Sequence, residues 1–367
     1  MVNLKEVELV STGYYLPGEP IPFDQIDLVV GEFHSLSPLE KKRISKYKGM
    51  MKKILKGCSY LAIDPVSRKP LETITSLSVK AIKKALETAD LKINEIEYIA
   101  LGAPLPDYMT PPTTPFIQEE LGIERCSEIE IHSNCTSMTK AMEVAQNALQ
   151  VGKYKNAVVV YAQNPSSYLT RNFYNQDRLG IENMLLRWFL SDSAGAVVLK
   201  AADKVKTGIK LVGTYNESIG EKLKPSMWMY FGAANFNLKE VYEQGKHHFG
   251  QDYQLVNKLG PIIQVEGLKT MLNRLNLKGK EVDHLLISIP SYQLENEAKK
   301  KTAAEVGIAE NKWFDNVGTK GYCGGASLIT SLQELIEKGG FNTGERTLCF
   351  VTESSKWMVG GFLLERI

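Results

Sequence analysis

The chain has 367 residues, with 44 lysines and arginines set against 42 aspartates and glutamates for a formal charge of +2. With 43% apolar and 23% charged residues, this is the balance of an ordinary globular protein. It excludes a disordered or fibrous chain and gives no footing for general nucleic-acid binding. The length suits two packed halves of roughly 150 to 200 residues each.

At the start of the chain, Lys5, Glu6 and Glu8 interrupt the apolar residues, so the uninterrupted core of a signal peptide is missing. No later apolar run approaches the ~20 residues needed to cross a bilayer. The expectation is a cytoplasmic protein without membrane contact. Cysteines 58, 126, 135, 323 and 349 are scattered and form no CxxC pair. That spacing argues against a disulfide framework and a structural zinc site, and predicts reduced, mostly buried thiols with no metal or redox cofactor.

In chain order, 6–12 (EVELVST) reads as a strand and 72–90 as an amphipathic helix with Leu77, Ala81, Ala85 and Ala89 on one face. EYIALGA (97–103) reads as a strand, and IEIHS (129–133) as another that runs into a helix beginning TSMTKAMEVA. NAVVVYAQ (156–163) and AGAVVLKA (194–201) have the short apolar character of buried strands. The rhythm then repeats. GIKLVGTY (208–215) reads as strand, 260–277 as helix, HLLISI (284–289) as strand and 326–339 as helix, with TLCFVTE and GGFLLERI as closing strands. Two similar α/β halves, 1–203 and 204–367, suggest an internal duplication. The lysine-rich 34–70 and the aromatic- and asparagine-rich 164–190 and 216–259 break the rhythm. Such insertions sit over a site, bind a partner, or form plain surface.

Cys135 stands in IHSNCTSMTKAMEVA, between the end of a strand and the start of a helix. A thiol there faces the positive end of the helix dipole and unpaired backbone N–H groups. These stabilise the thiolate, and the expectation is a pKa lowered by more than a unit from ~8.5. The same amides suit the oxyanion of a thioester under attack.

Several segments, in chain order, resemble β-ketoacyl-ACP synthase III of the thiolase superfamily: STGYYLPGEPI, GAPLPDYMTPPTTPFIQEELGI, SNCTSMTKAMEVAQNALQVGKYKNAVVVYAQ, LSDSAGAVVL and NVGTKGYCGGASL. ESSKW (353–357) is closer to the branch that makes dialkylresorcinols and related polyketides. The resemblance implies a thiolase fold, with two duplicated βαβαβαββ halves in an αβαβα layered arrangement. It implies Cys135 as the acyl-carrying nucleophile, acyl-CoA or acyl-ACP as substrate, and a homodimer.

It also implies a histidine and an asparagine that bind the second thioester. Neither is here. Counting from Asp283 puts the histidine position on Ser288, whereas anchoring on Pro290 puts it near Ser291; the asparagine position falls on Tyr322, next to Cys323. A serine hydroxyl takes up no proton near neutral pH, and a tyrosine of pKa ~10 donates a hydrogen bond but is a poor base. Among the remaining histidines, His132 sits on a strand three residues before Cys135, His247 and His248 read as surface residues of an unmatched insertion, and His284 as a core or edge residue. A backbone N–H near Ser355 is the candidate to complete the oxyanion hole.

The lysine run 39–57 is either a solvated helix face or a contact for coenzyme A phosphates or an acidic acyl carrier protein. Aromatics in PSSYLTRNFYNQ and PSMWMYFGAANF suit an acyl pocket or ordinary core. The reading is an acyltransferase or condensing enzyme of fatty-acid or polyketide biosynthesis that loads an acyl group onto Cys135. The alternative is a catalytically impaired subunit in a heteromer with an active homologue. A thioester-sensing binding protein is a third class, one that would not need the cysteine.

Overall fold

The computed structural model describes residues 4–367; residues 1–3, the start of the leading segment read above as lacking a signal-peptide core, lie outside the described residues. The ten strands of the main sheet are β1 (Glu6–Tyr15), β2 (Tyr98–Ala103), β3 (Ser127–His132), β4 (Asn156–Gln163), β5 (Ser193–Ala202), β6 (Ile209–Ser218), β7 (His284–Leu286), β8 (Trp313–Phe314), β9 (Arg346–Glu353) and β10 (Met358–Arg366). Seven helices frame them: α1 (Pro38–Ile54), α2 (Ile74–Leu86), α3 (Thr114–Leu121), α4 (Thr136–Gln150), α5 (Tyr253–Arg274), α6 (Tyr292–Val306) and α7 (Ala326–Glu337).

The sheet order is β8-β7-β9-β10-β6-β1-β5-β4-β2-β3. Read inward from each edge, the two halves match strand for strand. β3, β2 and β4 are parallel, as are β8, β7 and β9; then β5 and β1, like β10 and β6, run antiparallel to their neighbours. The halves join where β1 pairs with β6.

Helices fill three layers. α2 packs on β1, β5 and β4; α4 packs on β2 and β4 of one half and on β6 and β10 of the other; α7 touches β1, β5 and β7; α5 covers β9 and β10, with α6 beside it. The result is the α/β/α/β/α layering that the family resemblance implies. Strands with helices on both faces are buried on both, which is why β2 and β4 read as continuous apolar runs rather than alternating ones. In the middle layer Met138, Met142, Leu328 and Leu332 are fully buried, each stabilising the fold by about 1.5–3 kcal/mol.

Local signals set the helix ends. Thr73 and Ser76 form a capping box that starts α2. Ser37 and Glu40 do the same for α1, which begins at Pro38 and buries only Met51. The lysine run is therefore largely a solvated helix face, except that Lys56, just beyond it, is buried. α5 begins seven residues before the expected position, at an Asp252 cap whose side chain accepts the Leu255 N–H. Gly260-Pro261, which reads as a helix start, lies inside that helix. Where α7 meets α4, a side chain on Gly325 would stand 2.9 Å from the Cys135 carbonyl oxygen and 2.9 Å from the Met138 Cβ. The two helix starts touch through bare backbone.

Candidate active site

Strand β3 ends at His132, Ser133 and Asn134 turn the chain, and Cys135 is the N-cap residue of α4 with φ −59° and ψ −33°. Its Sγ lies 3.4 Å from the hydroxyl of Tyr322. Tyr322 is held in place from its own side: Ser191 N–H donates to its carbonyl, and its ring meets Phe189 edge-on. The structure thus brings together two of the residues singled out in the sequence, one from each half of the chain.

Cys135 and Tyr322 line a cavity with some 920 Å³ of empty space, mouth included. Leu55, Leu185, Phe189, Met227, Val256 and Leu294 give it a largely apolar wall, the character of a site for a hydrocarbon chain. Ser288 and Ser291 both line it. Their surroundings differ. Ser291 Oγ caps α6 by accepting the Leu294 N–H and lies 3.4 Å from the Tyr253 hydroxyl. Ser288 Oγ is buried with no hydrogen-bond partner. No histidine is among the lining residues.

Behind Cys135 stands a residue that sequence reasoning missed. Glu353, at the end of β9, is 2% exposed. Its carboxylate accepts the Thr136 backbone N–H at 3.0 Å, the Thr136 hydroxyl at 2.5 Å, the Ser133 hydroxyl at 3.0 Å and the Ser355 hydroxyl at 2.5 Å. Lys140 donates to Ser133 Oγ at 2.9 Å, on the far side of the same cluster. An anion at a helix N-terminus is favourable there, but it takes up an amide next to the thiol. The signal was present: an acid closes an otherwise apolar strand, in TLCFVTESSKW.

This changes the electrostatics expected for Cys135. Burial pushes its thiol up to about 12. The Tyr322 hydrogen bond works against that shift, and the Glu353 charge adds to it. The expected lowering by the helix N-terminus is therefore not realised: the sulfur lies among packed side chains, and a carboxylate offsets the dipole. Tyr322 is likewise pushed well above its usual range by burial and by the neighbouring thiol. Both groups are protonated at rest.

Other expectations fare differently. Ser355 does not line the cavity; Thr352, Glu353 and Ser354 form that wall, and the Ser355 hydroxyl is turned to Glu353. His132 is exposed. His247 and His248 are buried, contrary to the surface placement expected of them. Their segment folds back onto 164–190, where the His247 ring bonds the Phe173 carbonyl and His248 Nε2 accepts the Asn175 N–H. His284 pairs with Glu345 at 3.0 Å. Of the five cysteines, Cys323 and Cys349 are buried, and Cys58, Cys126 and Cys135 are half-buried.

The model of the 3-oxoacyl-[acyl-carrier-protein] synthase III family matches residues 129–217, the stretch that carries Cys135 and its helix. β-Ketoacyl-[acyl-carrier-protein] synthase III of Clostridium perfringens is 25% identical over 277 residues, covering 76% of this chain and 80% of that one. AbyA1, a tetronic acid condensing enzyme, superposes with a TM-score of 0.78 at 21% identity, covering 98% of this chain and 99% of that one. Over three quarters of its length, then, this chain is similar to the β-ketoacyl-[acyl-carrier-protein] synthase III proteins, and it shares the fold of the condensing enzyme AbyA1. A variant of OleA from Xanthomonas campestris shares the fold at a TM-score of 0.77 and 17% identity, covering 99% of both chains. Among the described residues of this synthase III-like chain, no helix is long and apolar enough to cross a membrane.

Proposed function

We propose that this protein is an acyl-thioester-dependent transferase of the condensing-enzyme type, which loads an acyl group from acyl-CoA or an acyl carrier protein onto Cys135. The observation that carries this reading is the position of the Cys135 sulfur, at a strand-to-helix turn on the wall of a long apolar cavity. In the loading step the sulfur attacks the thioester carbonyl. The new S–C bond forms, the old C–S bond breaks, and the leaving thiol departs with the proton that Cys135 gives up. The Tyr322 hydroxyl, donating to the sulfur, stabilises its charged form. Since the free thiol holds its proton tightly, that proton leaves together with the attack rather than before it. The acyl group then passes to a second thioester or another nucleophile without a histidine on the cavity wall.

A second reading is favoured by one observation, the Glu353 carboxylate on the Thr136 amide. A thiol kept neutral suits an inactive subunit paired with an active homologue. Intact-protein mass spectrometry after mixing the purified chain with acyl-CoA and acyl-carrier thioesters, alongside C135A, separates the two. A mass increment that vanishes in C135A supports loading. No increment from any donor, together with acylation of a co-purifying homologue, supports the subunit.

A further inference from the structure

The cavity is lined by residues from both faces of the sheet, and some of their buried polar atoms have no partners. On β9, Cys349 and Val351 belong to the core of the middle layer, whereas Leu348 and Phe350 pack with Leu268 and Met271 of α5 in the outer layer. By strand alternation Glu353 faces the middle layer, with Cys135, and Thr352 faces α5. Both line the one cavity. Its outer arm therefore runs between α5 and the sheet, along Gly260, Pro261 and Gln264 on one side and Thr352 and Trp357 on the other.

Gln264 is 3% exposed, and its Nε2 has no hydrogen-bond partner; Thr352 Oγ1 and Ser288 Oγ are likewise buried and unpartnered. A purely hydrocarbon occupant would leave a buried amide donor and two buried hydroxyls unsatisfied, which native interiors rarely tolerate. No lysine, arginine or histidine lines the cavity, and Glu353 already places a carboxylate there. A carboxylate-bearing chain is thereby disfavoured, and a neutral oxygen is what these groups bind.

We infer that the substrate is an acyl thioester whose chain carries a neutral hydroxyl or keto oxygen, held in the outer arm by Gln264 with Thr352. The inference rests on the acyl-thioester reading above and deepens it from a plain acyl chain to an oxygenated one. Gln264 and Thr352 lie on the sheet face away from Cys135, so they act as specificity residues rather than on the reacting carbonyl.

The test measures binding apart from chemistry. In the C135A background, calorimetry compares saturated acyl-CoA with hydroxyacyl- and oxoacyl-CoA of equal chain length, the oxygen placed at successive carbons. The expected result is that one oxygenated chain binds about tenfold tighter or more than its saturated match. Q264L and T352V, each checked for an unchanged melting transition, should bring that ratio to within about twofold. A saturated chain that binds as well as every oxygenated one overturns the inference, with water then satisfying these groups, and so does a preference that survives both substitutions. Loading of the parent chain is followed in parallel. An oxygenated preference without any loading leaves this inference standing and fells the loading reading; equal loading and binding of both chain types does the reverse.

Discussion

The Glu353 carboxylate accepts the backbone N–H of Thr136 at 3.0 Å, one residue past Cys135, and so fills the anion-binding end of the helix that Cys135 caps. A substrate oxyanion seeking that amide meets a resident carboxylate. The thiol also feels the charge, which adds to the upward shift set by burial.

E353Q should therefore lower the Cys135 pKa. Iodoacetamide alkylation of Cys135, followed at about pH 8 by peptide mass spectrometry, is expected to accelerate several-fold. Loss of the charge-assisted hydrogen bonds should lower stability by about 1.5–3 kcal/mol. An unchanged alkylation rate would show that Glu353 does not set the state of the thiol.

Y322F moves the thiol the other way. The Tyr322 hydrogen bond lowers the Cys135 pKa, whereas the burial that raises it survives the substitution. Alkylation should slow at every pH, with a stability change under about 1.5 kcal/mol. Faster alkylation in Y322F would mean that the tyrosine shields the sulfur rather than polarising it.

Lys56, beyond the end of α1, lies 2.7 Å from Glu295 and 3.1 Å from Asp315, and its side chain is only 4% exposed. Burial and the neighbouring Glu295 hold the Asp315 carboxyl up at about 6. Glu295 is lowered, because hydrogen bonds from Asp315, Lys56 and Lys299 outweigh its burial. K56M strands the carboxylates and should cost about 3–5 kcal/mol near pH 7. Protonation relieves them, so denaturation at about pH 5 should show a smaller loss. A loss that grows on acidification would contradict this assignment.

Burial, with His247 beside it, lowers His248 to about 4. A base depressed in the fold binds fewer protons than in the unfolded chain. Its stabilising effect is therefore complete above its unfolded pKa of ~6.5 and is lost as pH falls through about 4. Asp315 has the opposite sign: its raised pKa stabilises at low pH, and that effect is lost as pH rises through about 6. The two partly cancel in the parent chain. H248Q should retain an acceptor for the Asn175 N–H and make the fold more tolerant of acid, by about 2 kcal/mol near pH 4.5 relative to its value near pH 7. Melting curves across this range with no relative gain would rule His248 out as the titrating group.

The inner strands were legible in the sequence because burial on two faces writes itself as unbroken apolar runs, as in NAVVVYAQ, which matches β4 end to end; the layering came with the family resemblance. Cys135 was legible from its place between a strand and a helix and Tyr322 from the family resemblance, and their contact follows from the two halves meeting in the middle layer. What escaped depends on long-range packing. His247 and His248 sit in a polar stretch, and nothing local tells that Phe173 and Asn175 close over them. Gln264 reads as one more polar residue of a helix. Its solitude is visible only once α5 lies against the sheet. The early start of α5 was hidden by Gly260-Pro261, the usual punctuation of a helix boundary, which here falls within the helix.

The bare contact at Gly325 acts as a spacer gauge for the site. With no side chain there, the carbonyl of Cys135 and the Met138 Cβ can come up against the start of α7, and the gap between the sulfur and the Tyr322 hydroxyl is cut to that spacing. A single added methyl would act as a shim, prising the two helix starts apart and widening the gap without altering either side chain.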